Sequence, residues 1–211
     1  MSVTLETLTG EHLLSIVPDL ARLRITVFRE WPYLYDGNIA YEEKYLHAYM
    51  QSPGTAVVVA RDGHEVVGAS TCLPLKDEMT CIRAPFEARR LDTSDFFYFG
   101  ESVLLPPWRG QGIGVRFFEE REKHTHITGN ARFAVFCAVH RWKTDPRRPA
   151  NAQNLAEFWK HRGFAPLPYV SCHLDWKEPG LEGQRDHQLD FYIKSLHGDA
   201  IPDALLHKEP S

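Results

Sequence analysis

Several marks of common protein classes are missing from this sequence. No apolar run approaches the ~20 residues that cross a bilayer. The opening, MSVTLETLTGEHLLS, has acidic residues and no long apolar centre, unlike a secretory signal. A cytoplasmic protein without a membrane partner is the expectation. Basic excess is missing too: 24 Lys and Arg stand against 28 Asp and Glu, a formal charge of −4. A nucleic-acid binder usually needs a basic face, so that class is set aside. Cysteine is sparse and scattered, at Cys72, Cys81, Cys137 and Cys172, with no CxxC pair. That pattern reads as reduced thiols rather than a disulfide framework. With no HExxH and no His/Cys ligand spacing, no metal site is expected. No internal repeat or low-complexity segment is present.

What remains is an ordinary globular composition, 43% hydrophobic and 25% charged over 211 residues. It reads as a single domain over residues 1–197 with a loose tail at 198–211. Residues 3 to 9 alternate as a half-buried strand does. From Pro18 a helical stripe carries Leu20, Leu23, Val27 and Phe28, and an aromatic loop, WPYLYDGN, follows before a helix over 39–50. Asp62-Gly63 between two β-rich runs predicts a hairpin, because the tight turn needs positive φ. Residues 76–95 read as a connection with a short helix. A strand follows over 96–105, a helix from Gln111 to about Thr128, and an almost wholly apolar strand over 132–139. That run suits a central strand covered on both faces. A helix from Asn154 ends at Gly163 as its cap, and strands at 169–177 and 187–196 complete the order β α α β β β α β α β β. This is a mixed α/β sheet in one domain.

The chemistry gathers at Glu101–Glu122, ESVLLPPWRGQGIGVRFFEERE. Gly110, Gly112 and Gly114 let backbone N–H groups turn toward a ligand without Cβ obstruction. The helix starting near Gln111 adds its unpaired donors and dipole, and Arg109 a permanent charge. A diphosphate uses all of these. GxGxxG would need glycine where Val115 or Phe117 stands, and the P-loop ending GK[ST] is absent. Pro106 and Pro107 follow directly on a strand that belongs inside the sheet, so pairing must fail there. A bulge or splay beside them exposes backbone groups of Val103, Leu104 and Leu105 to an extended amide chain. Diphosphate joined to such a chain describes coenzyme A. A purely structural loop-to-helix turn is the alternative.

At these residues the sequence resembles the GNAT superfamily of acetyl-CoA-dependent N-acyltransferases. The signature, Arg or Gln, two residues, Gly, one residue, then Gly or Ala, is met by Arg109 to Gly114. RFFEERE, RFAVFCAV and FWKHRGF follow in the family's order. The resemblance implies a mixed, mostly antiparallel central sheet with a splayed strand pair, flanked by helices. It implies acetyl-CoA as co-substrate, with pantetheine held near Val103 and Leu104. The diphosphate falls on Gly110, Gln111, Gly112, Ile113, Gly114 and Val115, and Asn151 or Asn154 approaches from the last helix. Family members often carry a tyrosine, the acid for the leaving thiolate, where this chain has Trp159. Indole cannot serve, which leaves water, Tyr98 or His140.

Transfer needs an unprotonated amine. Glu101, eight positions before Arg109 where the family often has an acid, is the candidate base; a structural carboxylate is the alternative. Trp31, Tyr33, Tyr35 and Asp36 match the region over the acceptor site, as an apolar wall and an attractor of cations, or else pack a loop. Glu42 and Glu43 read as a solvated helix face, and Lys143, Arg147 and Arg148 as a solvated basic loop that could otherwise reach adenosine phosphates. The expected activity is N-acetylation of a small-molecule amine. The alternatives are a peptide or protein acceptor, or a non-catalytic acyl-CoA-binding module. The resemblance leaves room for a homodimer.

Overall fold

The computed structural model describes residues 3–208. One seven-stranded sheet runs in the order β1-β2-β3-β4-β5-β7-β6. The strands are β1 Thr4–Thr9, β2 Ala56–Asp62, β3 Glu65–Pro74, β4 Phe96–Leu104, β5 Phe133–Val139, β6 Ala165–Lys177 and β7 Gln184–Ser195. Only β4 and β5 pair in parallel; every other neighbouring pair is antiparallel. This is the mixed, mostly antiparallel sheet expected. β6 and β7 start earlier than their apolar runs suggest, at Ala165 and Gln184.

The helices are α1 Val17–Phe28, α2 Ile39–Tyr49, α3 Thr80–Glu87, α4 Ile113–Thr128, α5 Ala156–His161 and α6 Asp203–Leu206. Strand alternation divides them between two faces. Phe133, Val135 and Cys137 of β5 join a core with Leu20 and Leu23 of α1, Leu46 of α2 and Phe86 of α3. Ala134 and Phe136 face the other way, onto Phe118 of α4 and Phe158 beside α5's Trp159. Both faces of β5 are therefore covered, which explains its unbroken apolar run.

Local signals place the ends of these elements. Asn38 caps α2, its Oδ1 accepting from the amides of Ala40 (3.0 Å) and Tyr41 (3.2 Å). Gly163, at φ +86°, follows α5 in the left-handed region. α4 begins at Ile113 and α5 at Ala156, each two residues later than the sequence suggests. Residues 203–206, expected to belong to a loose tail, form a helical turn with Leu205 fully buried. Arg89 holds this turn through the Ala204 carbonyl at 3.0 Å. Among the described residues no helix is long and apolar enough to cross a membrane.

Arg121 of α4 is a buried charge with no carboxylate against it among the described residues. It is 1% exposed, donates from Nε to Phe117 O (3.2 Å), and lies 4.5 Å from the ring centroids of both Phe99 and Phe118. Its Nη2 finds no hydrogen-bond partner among the described residues, and burial pulls its pKa down to about 10. A flexible apolar side chain of similar reach removes that penalty. Arg121→Met should melt at the same temperature as the wild type or higher by calorimetry. A clear drop would show that the guanidinium has an anionic partner.

Candidate active site

β4 and β5 pair only through Phe96↔Phe133, Phe97↔Ala134 and Tyr98↔Val135. Beyond Tyr98 the strands part, although β4 continues to Leu104 and β5 to Val139. On its other edge β4 carries a bulge: Cys72↔Phe99 is followed by Ser70↔Ser102, three residues on β4 against two on β3. Ser70 fixes it, its Oγ 3.0 Å from the Glu101 carbonyl and 2.6 Å from Ser102 Oγ. Gly100 is required there, because a Cβ would come within 2.4 Å of Thr71 Oγ1 and 2.9 Å of the Tyr49 hydroxyl.

The bulge and the splay sort the backbone groups expected near the cofactor. The Leu105 amide donates to Val67 O at 3.0 Å. Successive strand amides point to opposite edges, so Val103 also faces β3, while Leu104 and Ser102 face the opening. Val103 and Leu105 are thus ladder residues that set the edge; Leu104, named from the sequence, faces the opening together with Ser102, which was not.

After Leu104 the chain turns through Pro106–Trp108 into the glycine loop. Gly110 (φ +77°) and Gly112 (φ +79°) both occupy the left-handed region, and a Cβ at either would meet nothing within 4 Å. Open space therefore lies in front of the loop. By helix geometry the amides of Ile113 and Gly114 at the start of α4 lack intrahelical acceptors, while the Val115 amide donates to Gly112 O at 3.1 Å. Gly114 has an ordinary φ, and a Cβ there would meet Phe158 at 3.5 Å, an ordinary van der Waals contact, so the local geometry does not demand glycine. Arg109 does not project freely. Its Nε donates to Leu104 O (2.8 Å) and its Nη1 pairs with Glu30 (3.0 Å), while Gln111 donates to Pro107 O (3.0 Å). These two side chains brace the loop. Together the opening, the left-handed glycines and the open amides fit an extended amide chain ending in a diphosphate.

On the α1–α2 side of β4 lies a buried polar chamber. Glu101 is directed into it, its side chain 7% exposed, with Oε2 2.9 Å from Arg24 Nη1. Its Oε1 has no hydrogen-bond partner among the described residues. Arg24 also donates through Nε to Glu42, which receives the Tyr35 hydroxyl as well. Glu42 is fully buried, which corrects the expectation of a solvated face; Glu43 remains part-exposed. Burial opposes the charge on Arg24, but Glu101, Tyr45 and Glu42 outweigh it and hold its pKa above the ordinary value. At the apex of the splay the Tyr98 hydroxyl lies 3.1 Å from Cys137 Sγ. Burial, then Cys137 and Glu78, push the Tyr98 phenol well up, so it is protonated at neutral pH.

The loop over this chamber is more committed than its composition suggests. Tyr33 packs on Phe28 (centroids 4.4 Å) and Trp176 (6.0 Å), and Tyr35 is held by Glu42. Asp36 is neutralised by Arg29 (2.6 Å) and Lys177 (3.1 Å), and these hydrogen bonds lower its pKa. It is a loop anchor and not a free attractor of cations. Trp31 lies 6.0 Å below the Arg141 guanidinium. Arg141 ties the segment after β5 to this loop through Pro32 O and Tyr33 O, each at 2.7 Å, and pairs with Glu178 at 2.7 Å. Arg147 also joins Glu178 and Asp145, whereas Lys143 and Arg148 are exposed.

On the opposite face, Asn154 Oδ1 accepts from the Ala156 amide (3.0 Å) at the start of α5, and Asn151 is exposed in the preceding loop. Trp159 is wedged between Phe136 (5.1 Å) and Tyr192 (4.7 Å). His140, at the open end of β5, is oriented by Asp190 at 2.7 Å. The sequence held a signal for two of the missed residues. Arg24 stands four positions from both Leu20 and Phe28, and Glu42 four before Leu46 and seven before Tyr49, so each lies on a buried stripe.

No family model matches the sequence, and neither does any curated protein. The fold does match solved structures. Arabidopsis thaliana NAA60 in complex with acetyl-CoA superposes with a TM-score of 0.59 at 14% identity, over 93% of this chain and 100% of that one. An acetyltransferase from Thermus thermophilus gives 0.57 at 13%, over 92% and 97%. An N-acetyltransferase from Staphylococcus aureus gives 0.56 at 13%, over 93% and 99%. The chain has the GNAT acetyltransferase fold.

Proposed function

We propose that this chain is an acetyl-CoA-dependent N-acetyltransferase whose acceptor is the amine of a small molecule. The observation that carries the reading is the parting of β4 from β5 beyond Tyr98, leading straight into the left-handed glycines at the start of α4. Acetyl-CoA would supply an activated acetyl thioester. In this reading the Leu104 and Ser102 amides hold the extended arm, and the amides of residues 110–115 the diphosphate. The Asn154 side-chain NH2 remains able to donate from the far side.

The chamber residues take the other half of the chemistry. Glu101 Oε1 offers a buried acceptor to the incoming amine, which arrives mostly protonated by analogy with lysine at ~10.4. Tyr98, kept protonated by burial, sits at the apex and supplies a proton to the leaving sulphur, the part Trp159 cannot play. Tyr98 and Tyr49 on this side of β4 are only 8% and 7% exposed, so little of the wall they form is open surface, which favours a small acceptor over a chain laid in an open groove.

Calorimetric titration with acetyl-CoA, followed by thiol release over a panel of amines, tests the reading. Glu101→Gln should keep cofactor binding while turnover falls about 10²-fold or more. Tight binding with no turnover of any amine would instead point to a non-catalytic acyl-CoA-binding module.

A further inference from the structure

One arginine joins three segments that are distant in sequence. Arg141, two residues past β5, is largely buried. Its Nε donates to Pro32 O and its Nη2 to Tyr33 O, each at 2.7 Å, and Nη2 also lies 2.7 Å from Glu178 Oε1, one residue past β6. Glu178 takes Arg147 as well, which Asp145 holds at 2.8 Å. Trp176, near the same end of β6, donates from Nε1 to Tyr33 O at 3.1 Å. The Tyr33 carbonyl thus receives two donors. The aromatic loop carries this hold inward. The Tyr35 hydroxyl donates to Glu42, and Arg24 reaches Glu42 through Nε and Glu101 through Nη1 (2.9 Å). Hydrogen bonds and ion pairs, joined by the backbone between Tyr33 and Tyr35, therefore run from Arg141 to Glu101.

Beside this hold lies a histidine that the fold keeps neutral. His187 of β7 stacks on Trp176, with centroids 3.7 Å and planes 15° apart, and its side chain is 7% exposed. Its Nε2 is 3.9 Å from Glu178 Oε1, beyond hydrogen-bond reach, and has no partner among the described residues. The charged groups around it are Arg141 after β5, Glu178 after β6 and Asp186 on its own strand. Arg147 and Asp145 join through Glu178, and Tyr33 packs on the same Trp176 at 6.0 Å. Burial, then Arg141, hold the His187 pKa below its ordinary value. A neutral ring simply supports Trp176. A protonated ring adds a third cation to a cluster in which Glu178 already serves two, and its new N–H competes with Arg141 for Glu178 Oε1.

We propose that Arg141 is a positioning residue for the acceptor side, holding the 31–36 loop in place, and that the hold lasts only while His187 is neutral. Acid frees the loop and, through Tyr35, Glu42 and Arg24, loosens Glu101. The contacts stand independently of any activity; that the loop covers an acceptor rests on the acetyltransferase reading. A merely structural anchor would hold the loop equally at every pH at which the chain stays folded.

Hydrogen exchange on the whole chain reads the loop directly. The amides of Leu34, Tyr35 and Asp36 donate to Glu30 O (3.0 Å), Phe28 O (2.8 Å) and Lys177 O (2.8 Å), so loosening shows there as lost protection. The β5 amides paired with β7 are the control for global unfolding. At pH 7.5 Arg141→Met should lose about tenfold of the wild-type protection at the three loop amides, with acetyl-CoA affinity unchanged. Arg141→Lys should regain only part, because an ammonium lacks the planar fork. Wild type, corrected for the intrinsic exchange rate, should lose about tenfold between pH 7.5 and pH 5. His187→Phe keeps the stack and takes no proton, so its loop should stay protected throughout. A His187 pKa below the ordinary 6.5 means that the folded chain binds less proton there than the unfolded chain. Wild type therefore also loses stability relative to His187→Phe as pH falls below that value. With any amine that is turned over, the acidic limb of the rate should lie at lower pH in His187→Phe. Equal loop protection in wild type and Arg141→Met, wild-type protection that ignores pH, or acid opening in His187→Phe like that of wild type would each overturn the proposal. Acetyl-CoA titration reports separately: no binding, with the loop behaving as expected, would sink the acetyltransferase reading and leave the hold standing.

Discussion

Gly112→Asp should abolish saturable acetyl-CoA binding while the protein remains folded. Gly112 stands immediately before α4 at φ +79°, with nothing within 4 Å of where its side chain would project. Two penalties follow from an aspartate there, and they are separable. The first is conformational, about 1–2 kcal/mol for a side chain in the left-handed region, and it is smallest for Asn and Asp. The second is electrostatic. A carboxylate on the lip of the loop competes with a diphosphate for the same amides and repels it. At ~5 Å and an effective dielectric of about 20 that repulsion is worth roughly 3 kcal/mol, on the order of a hundredfold in affinity. Gly112→Asn carries the first penalty without the second. Titration of both variants beside the wild type should find Asn weakened several-fold and Asp by a further hundredfold. Equal affinity in all three would show that the loop is a turn and no more, and the cofactor assignment would fall with it.

Much of this site is legible from residue types because it is made by backbone. A left-handed turn, a helix start and a proline-broken strand each leave a local mark, and Gly110, Gly112, Pro106 and Pro107 lie within a short stretch of chain. The β4–β5 splay could be expected from the prolines that follow it. The bulge at Gly100 was less visible, since its cause is the approach of Thr71 and Tyr49 from elsewhere in the chain. The acceptor side was mostly hidden for the same reason. Arg24, Glu42 and Glu101 come from α1, α2 and β4, and only packing tells whether a carboxylate on a helix meets water or a guanidinium. Asp36 shows the converse: its sequence context suggests a free charge over the acceptor site, while Arg29 and Lys177 have already claimed it.

Arg24→Met should be among the most destabilising substitutions in the chain. The guanidinium, 13% exposed, is the shared counter-charge for Glu42 and Glu101, whose side chains are 0% and 7% exposed. It also lies 5.2 Å from the Phe28 ring centroid and 4.9 Å from that of Tyr45. Methionine can restore much of the packing against those rings, so the loss isolates the charge. Two nearly unexposed carboxylates are then left without their counter-charge, a loss of about 3–5 kcal/mol by analogy with other broken buried pairs. For a chain of this size that corresponds to a fall in Tm of roughly 6–20 °C. Arg24→Lys should recover only part of it, because one ammonium cannot present the planar fork that reaches both acids. The decisive variant is the double one, Arg24→Met with Glu42→Gln. If the single loss comes from an orphaned charge and not from lost shape, removing the more deeply buried of its two acids should return most of the stability. Glu101 then remains as the one carboxylate facing the acceptor. Melting curves of the four proteins in the cycle decide it: a double variant as unstable as Arg24→Met would mean that the arginine acts through packing. A recovered one would mean that Glu42 and Glu101 are held in balance by a single cation, which is the condition that leaves Glu101 Oε1 as an open acceptor.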